Sequence, residues 1–102
     1  MTNQIPELVC GFVNGSEADF AALVRMFRRK VYAGAYGIVG NHLDADEVVQ
    51  ETFVRVYRKR DDLKNVKYFS TFLMRVATNY AIDILRRQKV HRGIDDFSTA
   101  NS

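Results

Sequence analysis

Phe69-Ser70-Thr71-Phe72-Leu73-Met74-Arg75-Val76-Ala77-Thr78-Asn79-Tyr80-Ala81-Ile82-Asp83-Ile84-Leu85-Arg86-Arg87 is the stretch that decides the fold. Phe69, Phe72, Leu73, Val76, Ala77, Tyr80, Ile84 and Leu85 recur at three- and four-residue spacing, which places them on one face of a helix and not on alternate sides of a strand. Ser70, Thr71, Arg75, Thr78 and Asn79 fall on the polar face. The helix runs on into Gln88-Lys89-Val90-His91-Arg92, and cations there complement the negative end of the helix. Asp83 is the one acid in this stretch and is expected to pair with Arg86, Arg87 or the first long helix.

Upstream, Asp44-Ala45-Asp46-Glu47-Val48-Val49-Gln50-Glu51-Thr52-Phe53 begins a second helix of opposite charge. Val49, Phe53, Val56 and Tyr57 are expected to line its buried side, which turns Asp46, Glu47, Gln50 and Glu51 outward. Asp44 followed by Glu47 reads as the start signal, with Asp44 as the cap, because a side-chain oxygen and a first-turn carboxylate satisfy free amides. The stripe stops near Asp61-Asp62. Leu63-Lys64-Asn65-Val66-Lys67-Tyr68 then reads as a polar, partly aromatic loop.

A third stripe comprises Phe20, Leu23, Val24, Phe27, Val31, Ala35, Ile38 and Val39, with Arg25, Arg28, Arg29 and Lys30 mostly on the other side. Gly34 and Gly37 each weaken that helix by about 1 kcal/mol relative to Ala and leave room for another helix to approach. Before it, Leu8, Val9 and Phe12 make a short amphipathic helix ended by Asn14-Gly15, after which Ser16 caps the long helix. The sequence therefore predicts an all-α fold: a three-helix bundle with a short additional N-terminal helix, one domain over residues 1–93, and a flexible tail or linker start over 94–102.

With 102 residues, 47% of them hydrophobic, the chain suits one domain with a modest core. A net charge of +3 is mild, so the separation of acidic and basic helices carries more information than the sum. Cys10 is the only cysteine, which excludes an intramolecular disulfide and fits a reducing compartment; it is expected to pack as a small side chain. No apolar run approaches the roughly 20 residues of a membrane span, and the N-terminus lacks the pattern of a secretory signal. A cytoplasmic location without membrane insertion is expected.

Enzyme chemistry finds little support. Glu47 and Glu51, with Asp44 nearby, could begin a carboxylate metal site, but such sites need inward ligands from facing helices, typically with His. His42 and His91 are scattered, and the last helix offers only Asp83. No phosphate-cradling glycine loop or nucleophile and base pair is present, so no enzyme activity, metal or cofactor is expected.

From about Ala18 to Lys89 the chain resembles region 2 of bacterial sigma factors of the extracytoplasmic-function group, through the motif Asp44 to Phe53 and the motif Phe69 to Arg86 with its Asn79 and Asp83. Phe72 stands where that family commonly has tryptophan, which keeps the aromatic body and loses an indole donor. The family's region 4, a helix-turn-helix, has no counterpart in these residues. The resemblance implies that the acidic helix docks on the clamp helices of the largest subunits of core RNA polymerase. It implies that the last helix and its preceding loop read and open the minus-ten promoter element on the non-template strand. It also implies an anti-sigma factor as a further partner.

The residues supply chemistry for both tasks. Asp44, Asp46, Glu47, Gln50 and Glu51 form the candidate polymerase-binding set, suited to Arg and Lys on a partner. Capture of a single strand needs cations along the backbone and aromatic or polar places for unstacked bases. Lys64, Asn65, Lys67 and Tyr68 offer that mixture, and Ser70, Thr71, Arg75, Thr78 and Asn79 continue it; Asn79 both donates to and accepts from a base edge. Arg86, Arg87 and Lys89 suit duplex phosphates. Phe69 and Phe72 are in phase with the core, whereas Tyr68, one residue earlier, need not face inward. The alternative reading is a sigma-like interaction module that binds polymerase or a regulator without reading DNA.

Overall fold

Ser16 and Asn41 start the two helices that organise the molecule. The computed structural model describes residues 4–65 and 68–92, so the expected tail, 94–102, lies outside the described residues. Helix α1 is Ile5–Val13, α2 Glu17–Val39, α3 His42–Arg58 and α4 Phe69–Arg92, with a 3-10 helix, Arg60–Asn65, between α3 and α4. Helices α2, α3 and α4 pack against one another pairwise, and α1 lies against α2 and the 3-10 helix. Among the described residues there is no strand, in agreement with the expected bundle.

The caps explain the boundaries. Extended backbone at Ser16 lets its hydroxyl accept the Asp19 amide at 3.1 Å. Gly40 ends α2 in the left-handed region at φ 77°, its amide donating to the Tyr36 carbonyl. The cap of α3 is Asn41, not Asp44: Asn41 is extended, and its side-chain oxygen accepts the Asp44 amide at 2.9 Å. Asp44 instead sits in the first turn, and its carboxylate accepts from the Asn41 side-chain amide at 2.9 Å and from Gln88 on α4. Asn41 thus caps the helix one turn before the expected start, and the Asp44 carboxylate holds the capping side chain in place through its amide rather than through the Asn41 backbone N–H.

The core follows the α2 stripe closely, with Leu23, Phe27, Val31, Ala35 and Val39 buried. Each such side chain contributes about 1.5 to 3 kcal/mol of burial where it is bulky. On α3 the buried row is Ala45, Val48, Thr52, Phe53 and Val56, while Val49 is half-buried and Tyr57 is exposed. The expected face was thus rotated: Val48 and Thr52 point in because α3 is flanked by helices on two sides. Tyr57 packs at the margin, its ring 5.1 Å edge-on from Phe20 and 5.8 Å from Phe12. Thr52 is fully buried, and its hydroxyl has no hydrogen-bond partner among the described residues.

On α4, Phe69, Leu73, Ala77, Ala81 and Ile84 are buried, and Phe72, Val76, Tyr80 and Leu85 are half-buried around them. Phe69 meets Phe27 edge-on at 5.5 Å, which confirms it as a packing residue. Beside the α2 glycines it is the end of a side chain, not the backbone of another helix, that comes near, and at one of them. A Cβ on Gly34 would stand 2.9 Å from the Met74 methyl of α4, whereas one on Gly37 would meet open space. The segment read as a polar loop is partly a 3-10 helix, and Leu63 within it is only 2% exposed, pinned against α1.

Candidate functional site

The outward ridge of α3 carries the acidic set, and its members differ in what they already hold. Asp46 and Gln50 are exposed and lean toward α2, where with Val24, Arg28, Val49, Phe53, Val54 and Tyr57 they line an open groove of about 590 Å³. Leu43, 81% exposed, and Val54 add apolar surface that the sequence reading missed. Asp44, Glu47 and Glu51 lean the other way, toward α4. Glu51 pairs with Arg55 one turn on at 3.0 Å. Glu47 accepts the Tyr80 hydroxyl at 2.5 Å and stands 3.8 Å from Arg87.

That last contact joins two sets that the sequence assigned to separate faces. Arg55 and Arg87 lie over the Tyr80 ring, 4.6 and 5.8 Å from its centroid, so the ring faces cations while its hydroxyl faces a carboxylate. The bond to Glu47, aided by burial, raises the Tyr80 pKa above the ordinary phenol value. The Arg87 contact is long and its side chain is 63% exposed, so it remains largely open to solvent. Asp83 is exposed, and among the described residues the Arg87 ion pair goes to Glu47, not to Asp83.

The polar face of α4 forms a track. Thr71, Arg75, Asn79, Arg86 and Lys89 are exposed, and Thr78 is half-buried beside them. At 100° per residue, Thr71, Arg75, Thr78, Asn79, Arg86 and Lys89 share the side opposite Leu73 and Ala77. Ser70 does not join them. It is half-buried and accepts a hydrogen bond from Lys30 of α2 at 3.1 Å.

At the start of α4 the track opens beside a depression of about 510 Å³. Lys64, Tyr68, Phe69 and Ser70 line one side; Ile5, Pro6, Val9, Cys10 and Val13 of α1 line the other. Tyr68 is 63% exposed. Lys67 and the side chain of Asn65 lie outside the described residues. The wall from α1 was not foreseen: a short amphipathic helix gives no sign in sequence of which loop it will face. Cys10 is exposed on that wall, its sulfur 3.6 Å from the Asn14 amide nitrogen, and is not the packed residue expected.

Among the described residues no three His, Cys, Asp or Glu side chains come together to hold a metal, and no described helix is long and apolar enough to cross a membrane. What the surface offers is an acidic and apolar ridge on α3 and a cationic, hydrogen-bonding track on α4. This defines a helical binding domain with two chemically opposite faces. Residues 23–91 match the family described as Sigma-70 region 2, and the chain belongs to that family, in its extracytoplasmic-function group.

The chain is 37% identical over 75 residues to the ECF RNA polymerase sigma factor SigW of Bacillus subtilis, covering 74% of this chain and 40% of that protein. It is 39% identical over 66 residues to the ECF RNA polymerase sigma factor SigE of Mycolicibacterium smegmatis, covering 65% of this chain and 25% of that one. The chain thus spans two-fifths or less of these relatives. In structure it is similar to an engineered region 2 of sigmaE, determined by NMR in complex with GTAAAA, with a TM-score of 0.76 and 33% identity over 86% of this chain and 94% of that one.

Proposed function

We propose that this domain binds core RNA polymerase through α3 and captures the non-template strand of the minus-ten promoter element with α4 and the segment before it. The observation that carries the reading is the separation of the faces. Asp46, Gln50, Leu43 and Val54 stand on one helix ridge, and Thr71, Arg75, Asn79, Arg86 and Lys89 stand on the outward side of another, all exposed.

The mechanism spends binding energy on strand opening. The α3 ridge, apolar at its centre and acidic at its edges, suits a partner surface of Arg and Lys, the clamp helices of the largest polymerase subunits. Anchoring there raises the local concentration of the α4 track at the promoter. Arg86, Arg87 and Lys89 hold duplex phosphates. The depression beside Lys64 and Tyr68 receives a base turned out of the stack, its apolar wall from α1 replacing the lost stacking. The likeness to a region 2 solved with a bound hexanucleotide supports this assignment. Such a domain works in the cytoplasm, and an anti-sigma factor that covered either face would silence it.

A pull-down of core RNA polymerase tests the reading, comparing wild type with a variant carrying Ala at Asp46, Glu47, Gln50 and Glu51, with folding checked by circular dichroism. Capture by the wild type and loss in the folded variant are expected. A folded wild type that fails to capture polymerase would overturn the docking assignment and favour another protein partner.

A further inference from the structure

Lys30 differs from the other cations of α2 in the direction it takes. Arg25, Arg28 and Arg29 line a hollow shared with Asp46 and Val49 of α3. Lys30 instead reaches across to the first turn of α4, where its ammonium donates to the Ser70 hydroxyl at 3.1 Å. It lies one turn before Gly34, beside which the Met74 side chain of α4 ends, so Lys30 sits on the side of α2 that faces α4. Ser70 lines the depression that also holds Lys64 and Tyr68.

We propose that Lys30 is a further strand-binding residue, a phosphate contact delivered from α2 to the mouth of the α4 depression. The proposal rests on the strand-capturing reading above and adds a residue that the motif segments do not contain. A serine hydroxyl is neutral, so it positions the ammonium without cancelling its charge and leaves two of its three N–H donors for another acceptor. Among the described residues no carboxylate pairs with Lys30, unlike Arg55 and Arg87, which face Glu51 and Glu47. Lys64 supplies a cation from the 3-10 helix on the same depression, and Lys30 supplies one from α2. A strand whose base enters the depression carries its backbone past both. Ser70, expected from sequence to touch DNA itself, becomes the residue that positions Lys30.

The test is binding of the labelled single strand GTAAAA to the full chain by fluorescence anisotropy over a salt series, for wild type, Lys30→Ala, Lys30→Arg, Ser70→Ala and Lys64→Ala, with thermal unfolding as a fold control. Lys30→Ala is expected to weaken binding several-fold at low salt and to reduce the slope of log affinity against log salt by about 0.7, the loss of one single-strand phosphate contact. Lys30→Arg should keep the slope, and Ser70→Ala should keep it with a smaller loss of affinity. An unchanged slope in Lys30→Ala, while Lys64→Ala loses its share, would overturn the assignment of Lys30 alone. Equal losses in Lys30→Ala and Ser70→Ala with equal falls in unfolding midpoint would make the pair a structural bridge and also overturn it. A wild type that does not bind the strand would overturn the strand-capturing reading, and Lys30 with it.

Discussion

Tyr80 on α4 donates its hydroxyl to the carboxylate of Glu47 on α3 at 2.5 Å. That bond, with burial, raises the Tyr80 pKa, so the folded state holds the phenolic proton more tightly than the unfolded chain does. The resulting stability is complete below the unfolded tyrosine value of about 10 and is lost as pH rises from there through the raised folded value. Above about pH 10 the urea midpoint of wild type should therefore fall more steeply than that of Tyr80→Phe. Tyr32, raised by burial and then by Asp46 and Tyr36, is common to both proteins and cancels. Parallel curves would remove the linkage.

The division of the α3 acids predicts unequal roles in docking. Asp46 makes no ion pair among the described residues, whereas Glu51 already holds Arg55. Asp46→Ala should cost on the order of 2 to 5 kcal/mol of affinity for core polymerase if its partner is a desolvated cation. Glu51→Ala should cost much less in affinity and about 0.3 to 0.5 kcal/mol in stability, the worth of an exposed pair one turn apart. Titration of labelled domain with core polymerase separates the two, and equal losses would contradict the division.

Asn79 and Arg86 share the outward track but offer different chemistry. Asn79→Ala should reduce discrimination between matched and mismatched promoter sequences by about 1 to 3 kcal/mol. Arg86→Ala should weaken all sequences alike and lower the salt slope by about 0.9 for duplex contact. Competition binding with a panel of promoter variants distinguishes them. Uniform loss for Asn79→Ala would deny it a base-reading role.

Leu63 fixes the segment that presents Lys64. Its truncation in Leu63→Ala should cost about 2 to 5 kcal/mol, which for a domain of this size lowers the thermal midpoint by roughly 10 °C or more. Strand affinity should fall at temperatures where the helical circular dichroism signal is still intact, because the 3-10 helix loosens first. A midpoint within a degree or two of wild type would mean that Leu63 is not the anchor.

Much of the architecture was legible because helical periodicity is a local property. The α2 stripe and its Ser16 cap can be read from adjacent residues, and both hold in the structure. What failed depends on partners distant in sequence. Whether Val48 or Val49 points inward is set by the angle at which α3 enters between α2 and α4, and a polar Thr52 hides its own burial. Ala81 does not stand out in the sequence because a small side chain adds little to an apolar stripe, yet it is fully buried. Asn41 and Asp44 are equally good caps by residue type, and the extended backbone at Asn41 decides between them. The site followed the same rule: the α4 track came from spacing, whereas the α1 wall, the Lys30 reach and the Glu47 to Arg87 contact came only from the packing.

The buried hydroxyl of Thr52 has a practical consequence. A buried polar atom left without a partner costs about 1 to 3 kcal/mol, and valine has nearly the same shape without it. Thr52→Val should therefore raise the unfolding midpoint while leaving both surfaces untouched. The domain holds a reserve of stability that its sequence leaves unclaimed, and docking or strand-binding variants that falter through unfolding can be rebuilt on that background until only the contact itself is being measured.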